Sequence, residues 1–476
     1  MSRARPHIFL ITCDELRADA LSCYGNRLIQ TPNLDALAAD GARFERAYCN
    51  SPWCLPSRCS LATGLYPHNN GSYSNFRDVP LDAELPNIYN LLKGAGYHTA
   101  HIGKCHYAPV PYGETRPDAT LPYDDFRDYY RSLGMDHLDL QDDKQVSVWF
   151  YDDYSRELDA AGYLKAYRDA VWDKAKRKVF AFPGPEAWHP DSWVGRKTAA
   201  YVDGYTGDQP LFLWASFSGP HYPFDPPVEY FNRVDMSQDR RIFSETEFDD
   251  PSRIHSATYH GHPGGAIDGS GAAPAGATKN CTDDYWRDLR RNYFANVAQI
   301  DDYIGRILAA VEERFGDDVL IIFSADHGEM LGNHGLWGKN NCAYEDVWTL
   351  PLIVKYPGQN QARVSDANAM LVDILPTCLA AAGLPHDFCD GAPLHERIAS
   401  GGAEYVFAEG EGFLAVSDGR YKLVRVAQGT RQHIELIDLE TDPHEFVNLA
   451  DDPAYSAHRA RLQGQMLDLL MAYALR

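Results

Sequence analysis

Short apolar runs recur along the chain and predict buried β-strands. The first run, residues 7–12, is bulky and β-branched, which is typical of a strand in a parallel sheet. A similar run ends at Gly103, and two more cover residues 210–217 and 319–323. Each is too short for a buried helix, and polar residues follow it directly. These runs therefore predict the strands of one central sheet.

Helical patterns alternate with these strands. Thr31 and Pro32 suit the N-cap and first position of a helix, and small or apolar residues follow at helical spacing. Residues 85–92 repeat the pattern before two glycines, and residues 286–315 predict a much longer helix. Strands and helices that alternate over about 350 residues predict the α/β fold class. We expect a large, mostly parallel central sheet sandwiched by helices.

Two segments interrupt this alternation. Residues 108–195 are rich in Tyr, Trp and Asp, and residues 255–280 are mostly Gly, Ala, His and Pro. We interpret both as insertions in a large domain of residues 1–385, because long loops in compact enzymes are often lids or substrate-binding elements. For the first insertion, a cap that packs on the core or on a second subunit is an equally good interpretation.

The pattern changes after residue 385. Residues 413–426 predict a hairpin that turns at Asp418-Gly419, residues 434–439 predict another strand, and residues 453–475 predict a closing helix. Residues 386–476 are therefore predicted to form a small C-terminal α+β subdomain.

Charge and composition narrow the classes of partner. The 476 residues carry a net charge of −23, which would repel a nucleic acid backbone. No apolar run approaches the roughly 20 residues that span a bilayer, and no export signal is evident at the start of the sequence. We predict a cytoplasmic protein with no nucleic acid or membrane partner. The ten cysteines are then expected to be mostly reduced thiols.

Candidate metal ligands follow two of the predicted strands. Asp14 and Glu15 come directly after the first strand, and Asp326 and His327 follow the run at 319–323. The carboxyl ends of parallel strands meet at one edge of a sheet, which is where such folds bind ligands. Carboxylates with one imidazole suit a hard divalent cation, Ca²⁺ before Mn²⁺. A lone Asp-His pair is more often structural, but the matching position of Asp14 favours a metal site.

The segment Cys54-Leu55-Pro56-Ser57-Arg58 carries the strongest local signal. Pro56 favours the first turn of a helix, which places Cys54 just outside the helix N-terminus. The helix dipole and Arg58 would favour an anion at the Cys54 side chain. The segment predicts a reactive group held against an anionic substrate, although a buried structural cysteine would show the same local pattern.

This segment, with Thr63-Gly64 after it, resembles the signature of the sulfatase family. Five further blocks resemble that family in the same order along the chain: Asp14-Glu15, Gly103-Lys104-Cys105-His106, Pro220-His221-Tyr222-Pro223-Phe224, Ala325-Asp326-His327-Gly328-Glu329 with Gly338-Lys339, and Leu439-Glu440-Thr441-Asp442-Pro443 with Glu445 and Asn448-Leu449. The likeness covers essentially the whole chain. Glu15 departs from the pattern, because sulfatases usually carry Asp or Gln there, and this leaves its contact with a metal open.

The resemblance implies a reaction and a set of roles. A maturation enzyme would oxidise Cys54 to Cα-formylglycine, whose hydrated aldehyde attacks the sulfur of a small sulfate ester with help from one divalent metal ion. The implied metal ligands are Asp14, Glu15, Cys54, Asp326 and His327. Arg58 would activate the nucleophile, His106 would act as the base that releases sulfate, and His221 would serve the leaving oxygen together with Lys339. The implied substrate-binding residues are Asn75, Lys104, His221 and Lys339.

Two other functions stay open beside sulfate ester hydrolysis. Phosphonate monoester and phosphodiester hydrolases resemble this chain in fold, nucleophile and Asp-His pair. They tend to carry Tyr and Thr where this sequence has Lys104 and His106, which favours a sulfate monoester. The second alternative is an unprocessed protein that binds anions without turnover. The sequence does not choose among aryl, choline and carbohydrate sulfates, and it leaves a homo-oligomer open.

Overall fold

The computed structural model describes residues 5–75, 79–110, 120–173, 175, 178–261, 278–339, 343–428 and 431–474. The strands are β1 His7–Asp14, β2 Ala42–Phe44, β3 Ala47–Tyr48, β4 His98–Gly103, β5 Leu121–Pro122, β6 His137–Leu140, β7 Phe150–Tyr151, β8 Leu211–Pro220, β9 Val319–Ala325, β10 Leu352–Lys355, β11 Arg363–Ser365, β12 Ala369–Met370, β13 Val406–Gly410, β14 Phe413–Ser417, β15 Tyr421–Gln428 and β16 Arg431–Asp438.

The α-helices connect these strands and cover the central sheet. They are α1 Pro32–Asp40, α2 Cys54–Thr63, α3 Pro67–Asn70, α4 Ile88–Gly94, α5 Asp124–Ser132, α6 Val146–Trp149, α7 Asp153–Ala160, α8 Leu164–Trp172, α9 Pro190–Gly204, α10 Ser256–His260, α11 Asp283–Phe315, α12 Glu345–Trp348, α13 Ile374–Ala381, α14 Leu394–Ser400 and α15 Ser456–Ala474. No helix in these ranges is long and apolar enough to cross a membrane.

Eight strands form the central sheet in the order β11-β2-β10-β9-β1-β8-β4-β6. β9, β1, β8, β4 and β6 are mutually parallel, and β10 is antiparallel to both of its neighbours. Helices α1, α9 and α11 pack together as one group, whereas α2, α4 and α13 form another. The mostly parallel α/β fold predicted from the sequence is therefore confirmed.

Helix α1 starts at Pro32 as predicted, but Thr31 does not cap it. The Thr31 hydroxyl accepts a hydrogen bond from the Ser22 backbone instead, at 3.0 Å. Asp301 of α11 accepts from the backbone N–H groups of Asn33 and Leu34, at 3.2 and 2.9 Å. A carboxylate distant in sequence thus fills the capping role. Local sequence cannot reveal such a partner, because only tertiary packing brings α11 to this helix end.

The predicted insertion at 108–195 belongs partly to the main sheet. Strand β6 lies within it and pairs in parallel with β4 at the sheet edge. The pattern concealed this strand because β6 alternates buried and half-buried residues, as an edge strand does, and lacks a continuous apolar run. Most of the second predicted insertion, residues 262–277, lies outside the described residues.

The C-terminal subdomain is the α+β unit that the sequence predicts. Strands β13 to β16 form an antiparallel sheet, and β14 and β15 make the hairpin predicted around Asp418-Gly419. Helix α15 packs on this sheet around Leu423, Leu436 and Leu462. The boundary at residue 385 stays a prediction.

A buried lysine joins this subdomain to the rest of the chain. Lys422 of β15 donates to the Glu345 carboxylate of α12 at 2.9 Å and to the Ala343 carbonyl at 2.5 Å, and it also pairs with Glu445. The Lys422 side chain is 1% exposed, so its carboxylate partners would be left uncompensated without it.

We predict that Lys422→Met lowers the free energy of unfolding by about 3–5 kcal/mol, the usual cost of breaking a buried ion pair from one side. Lys165→Met is the matched control, because Lys165 forms an exposed pair with Asp169 on α8, and we expect it to cost less than about 0.5 kcal/mol. Urea unfolding followed by circular dichroism measures both. Equal stability of the two variants would contradict a structural role for Lys422.

Candidate active site

Helix α2 presents Cys54 at its first turn. Trp53 is the extended residue before the helix, and Cys54 is the first helical residue, one position further in than the sequence suggested. Asn75 accepts a hydrogen bond from the Leu55 N–H at 2.9 Å, which satisfies a backbone group that the helix itself leaves free. Asn75 therefore fixes the helix start beside Cys54. Its contact with substrate stays a prediction.

Four predicted metal ligands meet at the carboxyl edge of the sheet. β1 and β9 are adjacent and parallel, so Asp14 and Asp326 emerge side by side. The Cys54 sulfur lies 3.2 Å from His327 Nε2 and 3.6 Å from Asp14 Oδ1, and His327 Nε2 is 3.6 Å from Asp326 Oδ1. One ligand atom from each of the four residues fits within 4.8 Å of all the others, and all four residues are buried.

Arg58 lies against both carboxylates of this group. Its Nε donates to Asp326 Oδ2 at 2.8 Å, and its Nη2 is 3.7 Å from Asp14 Oδ2. Nη1 donates to the Ser216 hydroxyl at 2.8 Å and to the Lys104 carbonyl at 3.0 Å. Burial alone would lower the pKa of this guanidinium, but Asp326 and Asp14 raise it. Arg58 is therefore a fixed positive charge beneath the site.

The two carboxylates respond differently to the surrounding charge. Burial opposes ionisation of both. For Asp14 the cations Lys104, His221 and Arg58 outweigh burial and lower its pKa below the usual range. For Asp326 burial and the neighbouring Asp14 dominate, and its pKa is raised. Two carboxylates so close together favour a cation between them.

The Cys54 side chain is surrounded by cationic groups. Burial alone would raise the pKa of its thiol, but Lys339, Lys104 and His327 lower it well below the ordinary value, with a smaller contribution from His106. An anion is thus stabilised at this side chain. The same charges would stabilise an anionic nucleophile or an anionic substrate group there.

Lys104 follows β4 at a sharp turn. Gly103 has φ of 110°, and any side chain there would collide with the Ser216 carbonyl, so only glycine allows this close approach. The Lys104 ammonium pairs with Asp14 and, at 2.6 Å, with Asp143 Oδ2. The sequence analysis missed Asp143, although it lies shortly after β6 much as Asp14 lies at the end of β1. The signal was hidden because β6 itself was not recognised.

His106 lies next along the same segment in a left-handed conformation, with φ of 52°. Its backbone N–H and that of Cys105 both donate to Asp142 Oδ1, at 2.8 and 2.9 Å. Neither ring nitrogen makes a complete hydrogen bond within the described part of the chain, although the ring is close enough to Cys54 to lower its pKa. Its role as the base that releases sulfate stays a prediction.

Glu15 contacts side chains different from those that Asp14 contacts. Its carboxylate pairs with Lys339 and lies 3.6 Å from His221 Nε2. His221 Nδ1 is 2.6 Å from the Tyr222 carbonyl, which fixes the ring. Burial would lower the pKa of His221, but Glu15 raises it to about 9. Among the described residues, Glu15 does not join the group of four around Cys54, and its contact with a metal stays a prediction.

The group of four fits a divalent cation. It supplies two carboxylates and one imidazole, and the oxygen donors are those that hard cations prefer. A cation there would also relieve the repulsion that raises the pKa of Asp326. Asp14, Asp326 and His327 would hold the ion, with the side chain at position 54 as a further ligand.

The fold and this site define the class of protein. The fold is a mostly parallel α/β sandwich with a small antiparallel subdomain. Carboxylates and an imidazole lie at its strand ends. They face Cys54 at the N-terminus of α2, where the surroundings favour a negative charge. This combination is that of the alkaline-phosphatase-like hydrolases, which act on esters of oxyanions.

Comparison with known proteins identifies the family within this class. The family model described as Sulfatase matches residues 6–384. The uncharacterized sulfatase YidJ of Escherichia coli is 27% identical, with 98% of this chain and 87% of that protein covered. An arylsulfatase of Clostridium perfringens is 28% identical, with 95% and 91% covered. The chain therefore belongs to the sulfatase family and is a sulfuric ester hydrolase.

A solved structure confirms the fold independently. The phosphonate monoester hydrolase of Agrobacterium radiobacter aligns with a TM-score of 0.79 and 24% identity, covering 98% of this chain and 96% of that one. The likeness extends over the C-terminal subdomain as well as the central sheet. At this identity it establishes a shared fold and leaves the substrate to other observations.

We predict that Asp326→Asn weakens Ca²⁺ or Mn²⁺ binding at least about 10- to 100-fold, because removing a ligand costs no less than removing its supporting hydrogen bonds. Isothermal titration calorimetry on metal-stripped protein measures the affinity directly. Asp301→Asn is the control, since Asp301 is a buried carboxylate that caps α1 away from the site. Equal affinities of the two variants would contradict the assignment.

Proposed function

We propose that this enzyme hydrolyses a small sulfate monoester through a formylglycine made from Cys54, with one divalent cation held by Asp14, Asp326 and His327. The products are inorganic sulfate and an alcohol or phenol. Ca²⁺ is the expected cation, with Mn²⁺ as the alternative, because oxygen ligands predominate. A maturation enzyme of the host would have to oxidise Cys54.

One observation carries this proposal. The Cys54 side chain lies within 3.6 Å of both Asp14 and His327, at the N-terminus of a buried helix, and nearby cations lower its pKa. A purely structural cysteine would gain nothing from such cationic surroundings. Burial raises the pKa of other buried thiols, such as Cys13 and Cys49, instead of lowering it. The site is built to hold negative charge at position 54.

The metal, when bound, would act as a Lewis acid on the oxygen at position 54 and on the ester. Arg58 holds the metal carboxylates in place through its contacts with Asp326 and Asp14. Lys104 and Lys339 lie close enough to the position 54 side chain to lower the pKa of its thiol, and there they would neutralise the oxygens of the transferred group. Their present partners are carboxylates, so both ammonium groups are already placed by the fold.

His221 is suited to serve the leaving oxygen. Its raised pKa, about 9, keeps the imidazole protonated at neutral pH. The Tyr222 carbonyl accepts from Nδ1, so Nε2 carries the proton that can be given away. His106 lies close enough to Cys54 to lower the pKa of its thiol, and it suits the base that returns position 54 to the aldehyde.

Phosphonate monoesters are the second candidate substrate class. The solved hydrolase with this specificity shares the fold, which alone does not favour either class. Lys104 and His106 do favour a sulfate, because the phosphonate enzymes tend to carry Tyr and Thr at these positions. Asp14 and Asp143 hold the Lys104 ammonium directly beside the site, so the residue that distinguishes the two classes lies where the transferred group would bind.

We predict that Cys54→Ala abolishes hydrolysis of 4-nitrophenyl sulfate, with a loss of at least about 10⁴-fold in kcat, since the nucleophile is removed. Mass spectrometry of the peptide that contains Cys54 should show a loss of about 18 Da, the replacement of CH₂SH by CHO. Cys59→Ala, one turn further along α2, is the control and should keep both activity and the mass change.

A fully converted protein whose Cys54→Ala variant retains most of its rate would refute the nucleophile. An unmodified peptide together with anion binding and no turnover would favour the unprocessed, non-catalytic alternative.

We predict a higher kcat/KM for 4-nitrophenyl sulfate than for a 4-nitrophenyl phosphonate monoester, because Lys104 and His106 stand where the phosphonate enzymes tend to carry Tyr and Thr. Metal-replete protein with confirmed Cys54 conversion is needed for the comparison. Lys104→Tyr combined with His106→Thr should lower the sulfate rate more than the phosphonate rate. If the unaltered enzyme prefers the phosphonate, the assignment of the nucleophile would stand, but the assignment of sulfate as the transferred group would be wrong.

A further inference from the structure

Three consecutive charged residues follow β6, and the proposed reaction uses none of them directly. Asp142, Asp143 and Lys144 are all buried, with at most 3% of each residue exposed. A run of three buried charges is costly unless every one of them is paired. Each has partners: those of Asp142 and Asp143 include the segment 104–106 after β4, and those of Lys144 include the segment 223–225 after β8.

Asp142 holds the turn that carries His106. One carboxylate oxygen accepts from the backbone N–H groups of Cys105 and His106, and the other accepts from the Tyr130 hydroxyl at 2.7 Å and from the Tyr123 hydroxyl. Four donors satisfy this carboxylate fully. Because His106 has a positive φ, its backbone needs such a partner to keep its conformation.

Asp143 makes the second connection. Its Oδ2 lies 2.6 Å from the Lys104 ammonium, which also pairs with Asp14. Its Oδ1 accepts from the Gln145 N–H at 2.8 Å, which orients the carboxylate. Two carboxylates thus hold the ammonium in place.

Lys144 extends to the segment that carries His221. Its ammonium donates to Asn296 Oδ1 at 2.7 Å, to Asp225 Oδ1 at 2.9 Å and to the Pro223 carbonyl at 3.3 Å. The side chain is 0% exposed, so these three acceptors use all of its protons. Two of them lie on residues 223–225, directly after His221.

The other end of the same segment is held by Asp191 of α9. Asp191 Oδ1 accepts from the Gly219 N–H at 2.8 Å, and its Oδ2 accepts from Asn296 Nδ2 at 3.0 Å. A side chain at position 219 would collide with Asp191, so the approach needs glycine. Asn296 bonds to both Asp191 and Lys144, which joins the two ends into one buried network with His221 between them.

We propose that residues 142–144 form a positioning segment for the reaction, in which Asp142 sets His106, Asp143 sets Lys104 and Lys144 sets the loop of His221. The inference rests on the roles proposed above for His106, Lys104 and His221. Its physical basis is that small displacements of catalytic groups cost large factors in rate. Because one short segment contacts the chain around all three groups, it fixes their positions relative to one another.

The Lys144 branch is tested with Lys144→Gln and a series of aryl sulfates whose leaving groups differ in pKa. We expect kcat/KM for phenyl sulfate to fall at least about 10-fold, and that for 4-nitrophenyl sulfate to fall less than about 3-fold, because only the poor leaving group needs a proton from His221. His221→Ala serves as the reference and should show the same selectivity more strongly.

The matched control is Tyr97→Phe, which removes a buried hydroxyl that bonds to the Pro6 carbonyl far from the site. It should leave the dependence on leaving group unchanged. If Lys144→Gln fails to fold, Tyr167→Phe replaces it, because the Tyr167 hydroxyl donates to Asp225 Oδ2 at 2.6 Å in the same network. Equal losses across the series for the folded network variant would overturn this branch of the proposal.

The Asp142 branch predicts a different kinetic signature. Tyr130→Phe removes one donor to Asp142 and should loosen the His106 turn, which slows the release of sulfate. A burst of 4-nitrophenol followed by a slower steady state is expected, with the dependence of kcat/KM on the leaving group unchanged. Steady-state turnover equal to that of the unaltered enzyme, with no burst, would overturn this branch.

A crystal structure of Lys144→Gln separates this inference from the proposed function. If the converted enzyme hydrolyses no sulfate ester, the proposed function fails, but the positions of residues 219–225 can still be compared. Displacement of His221 relative to position 54 would support positioning by Lys144. An unchanged loop would overturn it, whatever the substrate.

Discussion

The structure depends on the contact between Arg58 and the two carboxylates Asp14 and Asp326. These acids end neighbouring parallel strands, so the sheet itself forces them together. Two buried carboxylates with oxygens within 4.8 Å of each other would destabilise the fold without a nearby cation. Arg58 supplies that cation from α2, with 1% of its side chain exposed. The same contact therefore joins α2 to the sheet and places Cys54, one helical turn earlier, against the proposed metal ligands.

Charge balance extends from this contact through the whole site. Four buried carboxylates, Asp14, Glu15, Asp143 and Asp326, face the cations Arg58, Lys104, Lys339 and protonated His221. The formal charges of these two sets cancel, and a divalent cation in the group of four would make the sum positive. The cationic side chains around position 54 already favour an anion there, and the proposed metal would add to that attraction.

The sequence predicted those parts of the site that local pattern determines. Asp14 and Asp326 follow strongly apolar strands, and Cys54 precedes a proline-initiated helix, so chemistry and position could be read together. Thr31 shows where local pattern fails to predict a contact. A threonine at this position suits a helix cap, but Asp301 caps the helix from α11. Asp143 was missed for a related reason. Its strand lies at the sheet edge, where one-sided burial weakens the apolar pattern.

The edge strand explains why residues 142–144 escape a sequence search although they contact two segments of the candidate active site. β6 is the last strand of the parallel set, and the chain that leaves it is buried beside the candidate site. From there Asp142 and Asp143 face the segment after β4, while Lys144 faces the segment after β8. Asp14 at the end of β1 also contacts both of these segments, since it pairs with Lys104 and its carbonyl accepts from the His221 N–H at 3.1 Å. The segments that carry Lys104 and His221 are therefore held both from the edge strand and from the central strand β1.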